Sequence, residues 1–197
     1  MSTTLEFFFD FRSPYSYLAY SQLPQLDVEI QLRPMTVLKV KEEVGNVPTT
    51  LVCAAKNRYA RGDLLRWAQR YQLPLNPGDM KNTDGEACSR AVLAAGSAEQ
   101  AAAVTEALFR ACWGEGRTLA SVADILAVLS EAGIDTQQIS ELIDDPATVA
   151  ALDSNTREAA ARGVFGSPTM LIGEAMFFGN DRLDFVREHL AQLGEKA

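Results

Sequence analysis

Strand-like patterns occur only near the two ends of this chain, and a long helical stretch separates them. The apolar run from Leu5 to Phe9 predicts a buried strand, and Val28 to Pro34 alternates apolar and polar residues as a half-buried strand does. From about residue 50 to 162, apolar residues recur at helical spacing almost throughout. Two short apolar runs around Gly173-Glu174 predict a C-terminal hairpin. Because the terminal strands complete one sheet only by pairing with each other, we predict an α/β fold with a mixed sheet and an inserted helical block.

The helical stretch carries signals that divide it into several antiparallel helices. Helix starts are predicted at a capping box formed by Ser97 and Gln100, a weaker one formed by Ser121 and Asp124, and an Asp145-Pro146 opening. Gly133 and Gly163 suit C-terminal caps. Trp113, in the segment Trp113-Gly114-Glu115-Gly116, is predicted to enter the core where one helix turns into the next, which makes a structural role the favoured interpretation of this segment.

Composition narrows the possible partners. The chain has 197 residues, with 18 Lys and Arg against 26 Asp and Glu, and its basic residues are scattered singly. This argues against nucleic acid as a partner. No apolar run approaches a membrane span, and the N-terminus lacks a basic leader, which argues against membrane insertion and secretion. The cysteines Cys53, Cys88 and Cys112 are odd in number and widely spaced, as expected of reduced thiols in the cytoplasm and not of a disulfide framework or a metal site.

Ser13 lies at the junction between the first strand and a predicted helix of about residues 14 to 26. Pro14 suits the first helical position, so Ser13 is predicted to be the N-cap. An N-cap hydroxyl lies among unpaired backbone donors at the positive end of the helix dipole, where an anion such as a thiolate can be held. This segment alone leaves two interpretations open: a plain helix cap and an anion-binding site.

The last segment predicts an amphipathic helix with Asp181 as its N-cap. Its apolar face carries Leu183, Val186, Leu190 and Leu193. The single histidine, His189, lies late in this helix and away from Ser13 along the chain. A serine hydrolase needs a base beside its nucleophile, and this placement does not supply one.

Four motifs, in order along the chain, resemble those of the 2-hydroxychromene-2-carboxylate isomerase family. They are Asp10 to Tyr17, Trp113 to Gly116, Val164 to Thr169 and Gly179 to Leu183. The family is a close relative of kappa-class glutathione transferases and a more distant one of DsbA-type thiol oxidoreductases. The resemblance covers essentially the whole chain. It implies a thioredoxin-like domain of about residues 1–48 and 163–197, with an inserted helical subdomain of about residues 49–162.

The resemblance implies glutathione as the cofactor and assigns three segments to it. Ser13 would donate its hydroxyl to the glutathione sulfur and favour the thiolate, and Ser13-Pro14-Tyr15-Ser16 cannot form the disulfide of a Cys-x-x-Cys oxidoreductase. Ser167, before a cis Pro168, would pair with the cysteinyl unit through its backbone, so its side chain would matter little. The γ-glutamyl end would be bound by Phe178, Gly179, Asn180 and Asp181.

For the substrate, the resemblance implies a small aromatic carboxylate that isomerises by thiolate addition, bond rotation and elimination. Lys41 and Asn46 occupy the substrate-binding positions. Relatives that act on the hydroxychromene acid carry an Asn-Arg pair shortly after the position of Pro48, where this chain reads Thr49 to Val52. Three other basic residues could replace the positive charge of the missing arginine: Arg12, Arg58 and Lys81.

Two alternatives share the same glutathione site. One is a kappa-like transferase or a glutathione-dependent oxidoreductase, and the other is a glutathione-binding protein without turnover. In a transferase the sulfur stays in the product, so consumption of free thiol distinguishes it from an isomerase. The resemblance also implies a cytoplasmic homodimer.

Overall fold

A four-stranded mixed sheet joins the two ends of the chain. The computed structural model describes residues 3–47 and 52–194. The strands are β1 (Thr4–Phe9), β2 (Glu29–Pro34), β3 (Thr169–Ile172) and β4 (Ala175–Phe178), in the order β2-β1-β3-β4. β1 pairs with β2 in parallel and with β3 antiparallel, so Phe7 lies between Leu32 and Met170. The predicted pairing of the terminal strands is therefore confirmed.

Nine helices are present in the described ranges, and no strand in these ranges interrupts the chain between β2 and β3. They are α1 (Pro14–Tyr20), α2 (Val37–Glu43), α3 (Ala54–Arg70), α4 (Gly85–Leu93), α5 (Ala98–Phe109), α6 (Val122–Glu131), α7 (Gln137–Leu142), α8 (Pro146–Ala161) and α9 (Leu183–Gly194). Across residues 3–47 and 52–194, none of them combines the length and the apolar character that crossing a bilayer requires. The predicted domain boundary near residue 48 lies outside the described residues.

β1 is buried on both of its faces, which explains its unbroken run of phenylalanines. Phe7 and Phe9 belong to the larger core beneath α1, α4 and α5, and their rings stack 5.2 Å apart. Phe8 points to the other face, into a smaller core that α8 helps to form. A strand covered on both sides shows no alternation of apolar and polar residues. The residues at the end of β1 are consequently held firmly from both layers.

Three local predictions need correction. α1 ends at Tyr20 and not near residue 26, because Pro24 falls in a separate 3-10 turn, Leu23–Gln25. Ser97 caps α5 as predicted, by accepting from the Gln100 N–H. The Gln100 side chain, however, accepts from the Gly96 N–H and not from that of Ser97, so the complete capping box is the one formed by Ser121 and Asp124. Asp181 does not cap α9, since it lies inside a 3-10 turn, Asn180–Arg182, that precedes the helix.

α2 was not predicted, and its N-terminus shows why. The N-cap residue Thr36 makes no side-chain capping bond. The first N–H of the helix, from Val37, is instead accepted by the Asp10 carboxylate at 3.0 Å. A capping group more than twenty residues away leaves no signal in the local sequence.

Trp113 is buried, as predicted. It lies in a π-helical turn, Arg110–Gly114, that extends α5. Its indole N–H donates to the Phe11 carbonyl at 2.8 Å. Glu115 makes an ion pair with Arg110 at 3.0 Å. The segment thus ties the helical block to the loop after β1, consistent with a structural role.

Candidate active site

Ser13 caps α1 at the end of the loop that follows β1. Its Oγ accepts a hydrogen bond from the Ser16 N–H at 3.2 Å, and its own N–H donates to the Asp10 carbonyl at 3.0 Å. Pro14 occupies the first turn, where a missing N–H leaves no bond unmade. The prediction of an N-cap is confirmed.

Ser167 faces Ser13 from the other end of the chain, before a cis peptide bond to Pro168. The Ser13 hydroxyl donates to the Ser167 carbonyl at 3.2 Å. The Ser167 Oγ accepts from the Asp10 N–H at 3.1 Å and lies 2.6 Å from the Ser16 Oγ. The Ser167 side chain therefore joins both site segments, which corrects the expectation that its identity matters little.

A cavity of about 590 Å³ opens beside these two serines. Its walls come from the turn after β1, from α2 and α3, and from the loop before α4. The lining residues are Arg12, Ser13, Pro14, Tyr15, Val37, Leu38, Lys41, Asn57, Ala60, Arg61, Leu64, Met80, Lys81 and Ser167. Among residues 3–47 and 52–194, the lining combines apolar side chains with four cationic groups and contains no carboxylate. Such a cavity suits an apolar anion.

Lys41 is the predicted substrate residue that the structure brings to this cavity. Burial lowers the pKa of Lys41, and the charge of Asp10 acts in the opposite direction. Arg12 and Lys81 line the cavity as well, but Arg58 lies outside it and is exposed. The amide of Asn46 does not line the cavity and donates instead to the Phe165 carbonyl at 2.7 Å. Thr49 to Leu51, part of the segment where the Asn-Arg pair of relatives is missing, lie outside the described residues.

Asp10 is a buried carboxylate that the sequence reasoning did not select as a functional residue. It accepts from the Arg12 N–H at 2.8 Å and from the Val37 N–H at 3.0 Å. Burial raises the pKa of Asp10, although the Arg12 charge and the two backbone donors favour the ionised form. Asp10 thus links the turn that carries Ser13 to the helix that carries Lys41. The sequence signal that could have identified Asp10 is a single acidic residue directly after a strand of mostly buried residues.

Tyr15 was also missed. Its side chain lines the cavity two residues after Ser13. Burial, together with the charge of and a hydrogen bond to Asp63, raises the pKa of Tyr15 to about 12. The phenol therefore stays protonated at neutral pH, and it connects the start of α1 with α3.

A second cavity, of about 300 Å³, lies where α3 meets the start of α9. It is lined by Gln22, Trp67, Arg70, Tyr71, Asn180, Asp181, Leu183, Asp184 and Arg187. Asn180 is buried, its carbonyl accepts from the Tyr71 hydroxyl at 3.1 Å, and its side-chain nitrogen has no hydrogen-bond partner within the described ranges. The exposed Asp181 carboxylate pairs with Arg182 at 2.6 Å. This cavity offers both a donor and an acceptor to a zwitterion.

The other two residues of that predicted segment, Phe178 and Gly179, do not line the second cavity. Phe178 lines neither cavity and packs on Phe165 with ring centroids 4.6 Å apart. Gly179 has φ of 101°, and its N–H donates to the Pro168 carbonyl at 3.0 Å. His189 of α9 contacts Phe177 of β4, away from Ser13. The structure therefore gathers Ser13, Ser167 and Lys41 at one cavity and Asn180 and Asp181 at the next.

A cis proline beside the N-terminus of α1, on a mixed sheet interrupted by a helical block, defines a thioredoxin-like protein of the DsbA type. The model of the DsbA-like thioredoxin domain matches residues 4–191. The chain is 33% identical to 2-hydroxychromene-2-carboxylate isomerase of Sphingobium xenophagum, with 96% of this chain and 99% of that protein covered. A solved structure of a 2-hydroxychromene-2-carboxylate isomerase superposes with a TM-score of 0.87 at 32% identity, covering 98% and 97% of the two chains.

The chain belongs to the DsbA-like thioredoxin domain family and, within it, to the family of 2-hydroxychromene-2-carboxylate isomerases. Human glutathione S-transferase kappa 1 is a further relative at 30% identity, with 98% of this chain and 92% of that protein covered. The resemblance found in the sequence and the predicted fold class are both confirmed.

Proposed function

We propose that this protein is a glutathione-dependent isomerase of 2-hydroxychromene-2-carboxylate or a related unsaturated aromatic acid. The observation that carries the proposal is the meeting of Ser13 with Ser167 at the edge of an apolar, cationic cavity. Position 16 is also a serine, so no redox disulfide can form in this turn. The relatives named isomerases support the reaction, and the relative named a glutathione transferase supports glutathione as the cofactor.

The described residues fit glutathione at both serines and at the second cavity. The buried, unpartnered amide nitrogen of Asn180 is suited to donate to the γ-glutamyl carboxylate, and Asp181 to accept from the ammonium group. The backbone of Ser167, whose carbonyl accepts from the Ser13 hydroxyl, would pair with the cysteinyl unit. Gly179 permits the close backbone approach that the ligand requires.

Bound glutathione would supply a thiolate nucleophile for reversible addition to an unsaturated carbon, the chemistry that allows a double bond to rotate. Ser13 would hold that sulfur by donating its hydroxyl, which favours the ionised form. Lys41 places a positive charge where a substrate carboxylate can bind. The apolar walls hold the ring and limit water around the reacting atoms. Asn46 would act on the substrate side indirectly, through the segment of Phe165 that it contacts.

Turnover with glutathione tests the proposal directly. Purified protein is incubated with glutathione and 2-hydroxychromene-2-carboxylate, and the ring-opened product is followed by absorbance while free thiol is titrated. Product formation with constant thiol is the expected result. Loss of thiol equal to product formed would instead identify a kappa-like transferase, and binding without turnover would identify a glutathione-binding protein.

Ser13→Ala should lower kcat/KM by about 10²–10³-fold, the range for removing one donor to a catalytic anion. The pH at which kcat/KM rises should also move upward, because the thiol loses its stabilising donor. Loss of the N-cap should cost only about 1 kcal/mol of stability. Ser140→Ala, which removes an exposed hydroxyl bonded within α7, is the matched control and should leave kinetics unchanged. Kinetics of Ser13→Ala equal to those of the wild type would contradict the mechanism.

We also propose a cytoplasmic homodimer, as the resemblance implies. All three cysteines are unbridged, and Cys88 and Cys112 are buried, which suits a reducing compartment. Light scattering should give twice the chain mass of 21.5 kDa. A mass of one chain at micromolar concentration would refute the dimer.

A further inference from the structure

Arg61 is an exposed arginine of α3 that lines the larger cavity. Arg12 lies 3.7 Å from the Asp10 carboxylate, and Lys41 feels the same charge. Lys81 lies beside Asp79, whose pKa is lowered by hydrogen bonds first and also by the Lys81 charge. No ion pair involves Arg61 anywhere in residues 3–47 and 52–194. In a chain with a net charge of -8, a cavity-lining arginine without a carboxylate partner is available to an external anion.

The geometry of α3 directs Arg61 to the cavity. Asn57, Ala60, Arg61 and Leu64 all line it, and their spacing places them on one face of the helix. Two other arginines of the helix, Arg66 and Arg70, make their contacts away from the cavity. Arg66 pairs with Asp63 at 3.8 Å, and Arg70 lies over the Trp67 ring. Arg61 is therefore the arginine that α3 presents to the cavity.

α2 adds another cation, Lys41, to the lining of this cavity. α2 contributes Val37, Leu38 and Lys41, and Leu38 is 45% exposed although it is a large apolar residue. Further apolar groups line the same cavity, Pro14 and Met80 among them. An aromatic ring suits this apolar lining, and its acidic substituents can reach a cation of the lining.

We propose that Arg61 is a specificity-determining residue that binds an acidic group of the substrate in the cavity that Lys41 also lines. The inference rests on the proposed function, because it concerns the acceptor subsite of that reaction. Arg61 would replace the positive charge of the arginine that relatives carry in the Asn-Arg pair and that Thr49 to Val52 lacks, because α3 supplies an arginine further along the chain. The chemical class selected is an unsaturated aromatic acid whose anionic group lies against α3.

Binding of a charged probe and its neutral counterpart tests Arg61 without requiring turnover. Dissociation constants for trans-cinnamate and cinnamamide are measured by calorimetry in the presence of S-methylglutathione. Arg61→Leu should weaken cinnamate binding by about tenfold, the loss of one charge-assisted contact, and leave cinnamamide unchanged. Arg61→Lys should keep cinnamate affinity within about threefold of the wild type, because the charge remains.

Arg58→Leu is the matched control, because Arg58 lies on the same helix, is exposed and does not line the cavity. It should leave both probes unaffected. Equal loss in Arg58→Leu and Arg61→Leu, or unchanged cinnamate binding in Arg61→Leu, would overturn the inference. A loss of glutathione affinity in Arg61→Leu without loss of cinnamate affinity would also overturn it, since Arg61 would then serve the cofactor.

The two proposals fail in different ways. Absence of isomerisation by the wild-type protein, with cinnamate binding still dependent on Arg61, would refute the reaction and keep the anion subsite. Isomerisation with a KM that does not change in Arg61→Leu would keep the reaction and refute the subsite. A rise in KM with little change in kcat is the expected kinetic result, because Arg61 contacts substrate away from the reacting carbon.

Discussion

Replacing Ser167 by alanine should destabilise the protein, although the backbone at this position carries the expected ligand contact. The substitution removes the acceptor for the Asp10 N–H and the partner of the Ser16 hydroxyl. Both residues are buried, with exposed fractions of 2% for Asp10 and 0% for Ser16. A buried polar group without a partner costs about 1–3 kcal/mol.

The two losses are not equal. The Ser16 hydroxyl can rotate toward a carbonyl of the preceding turn, as serines in helices often do, and so recover part of its bond. The Asp10 N–H is fixed by the backbone and cannot. We therefore expect a loss of about 2 kcal/mol in the free energy of unfolding, equivalent to a fall in Tm of about 4–8 °C for a chain of this size.

Urea unfolding followed by tryptophan fluorescence measures this loss, since Trp113 is buried. Ser89→Ala is the matched control: Ser89 is 1% exposed, but its hydroxyl bonds only to the Gly85 carbonyl within α4. That control should cost less than about 1 kcal/mol, because no backbone donor loses its partner. A loss in Ser167→Ala no larger than that in Ser89→Ala would refute the reasoning.

Two further predictions concern the cofactor end and the buried acid. Gly179→Ala should lower the free energy of unfolding by about 1–3 kcal/mol, because a φ of 101° with a ψ of 158° suits glycine. It should also weaken glutathione binding, because the added Cβ would lie 2.6 Å from Asp181 Oδ1. Gly133→Ala is the control: it is also at positive φ but in open space, and should leave glutathione affinity unchanged. For Asp10, the raised pKa means that the folded state holds the proton more tightly than the unfolded state. The stability of wild type relative to Asp10→Asn should therefore fall as pH rises from about 3.8 through the higher folded pKa, and a relative stability that rises over this range in urea titrations would contradict the assignment.

The fold was predictable because its main signals are local. The phenylalanine run of β1, the Ser13 cap and the alternation in β2 each fall within a few residues, and the terminal strands had only each other as partners. α2 was not predictable by the same means, because its capping acceptor is Asp10. The prediction that Asp181 caps α9 was wrong, because Asp181 lies in a 3-10 turn that precedes the helix. No local sequence pattern distinguishes the start of this turn from the start of α9.

The cavity was only partly predictable for a related reason. A motif reveals which residue types are present, but the direction of a helix face depends on tertiary packing. Arg58 was selected from the sequence and Arg61 was missed, because only the placement of α3 shows that Arg61 lines the cavity. Tyr15 and Asp10 were overlooked because an aromatic and an acid beside a core strand usually have structural roles.

The hydrogen bond between the Ser13 hydroxyl and the Ser167 carbonyl has a consequence for selectivity among thiols. Without ligand, the Ser13 hydroxyl and the Ser167 carbonyl are bonded to each other, although these are the groups proposed to bind the sulfur and the cysteinyl amide of glutathione. A cysteinyl unit would thus exchange one set of hydrogen bonds for another, with little net gain in free energy. Affinity must then come from the two ends of the tripeptide, so free cysteine and N-acetylcysteine should compete poorly with glutathione.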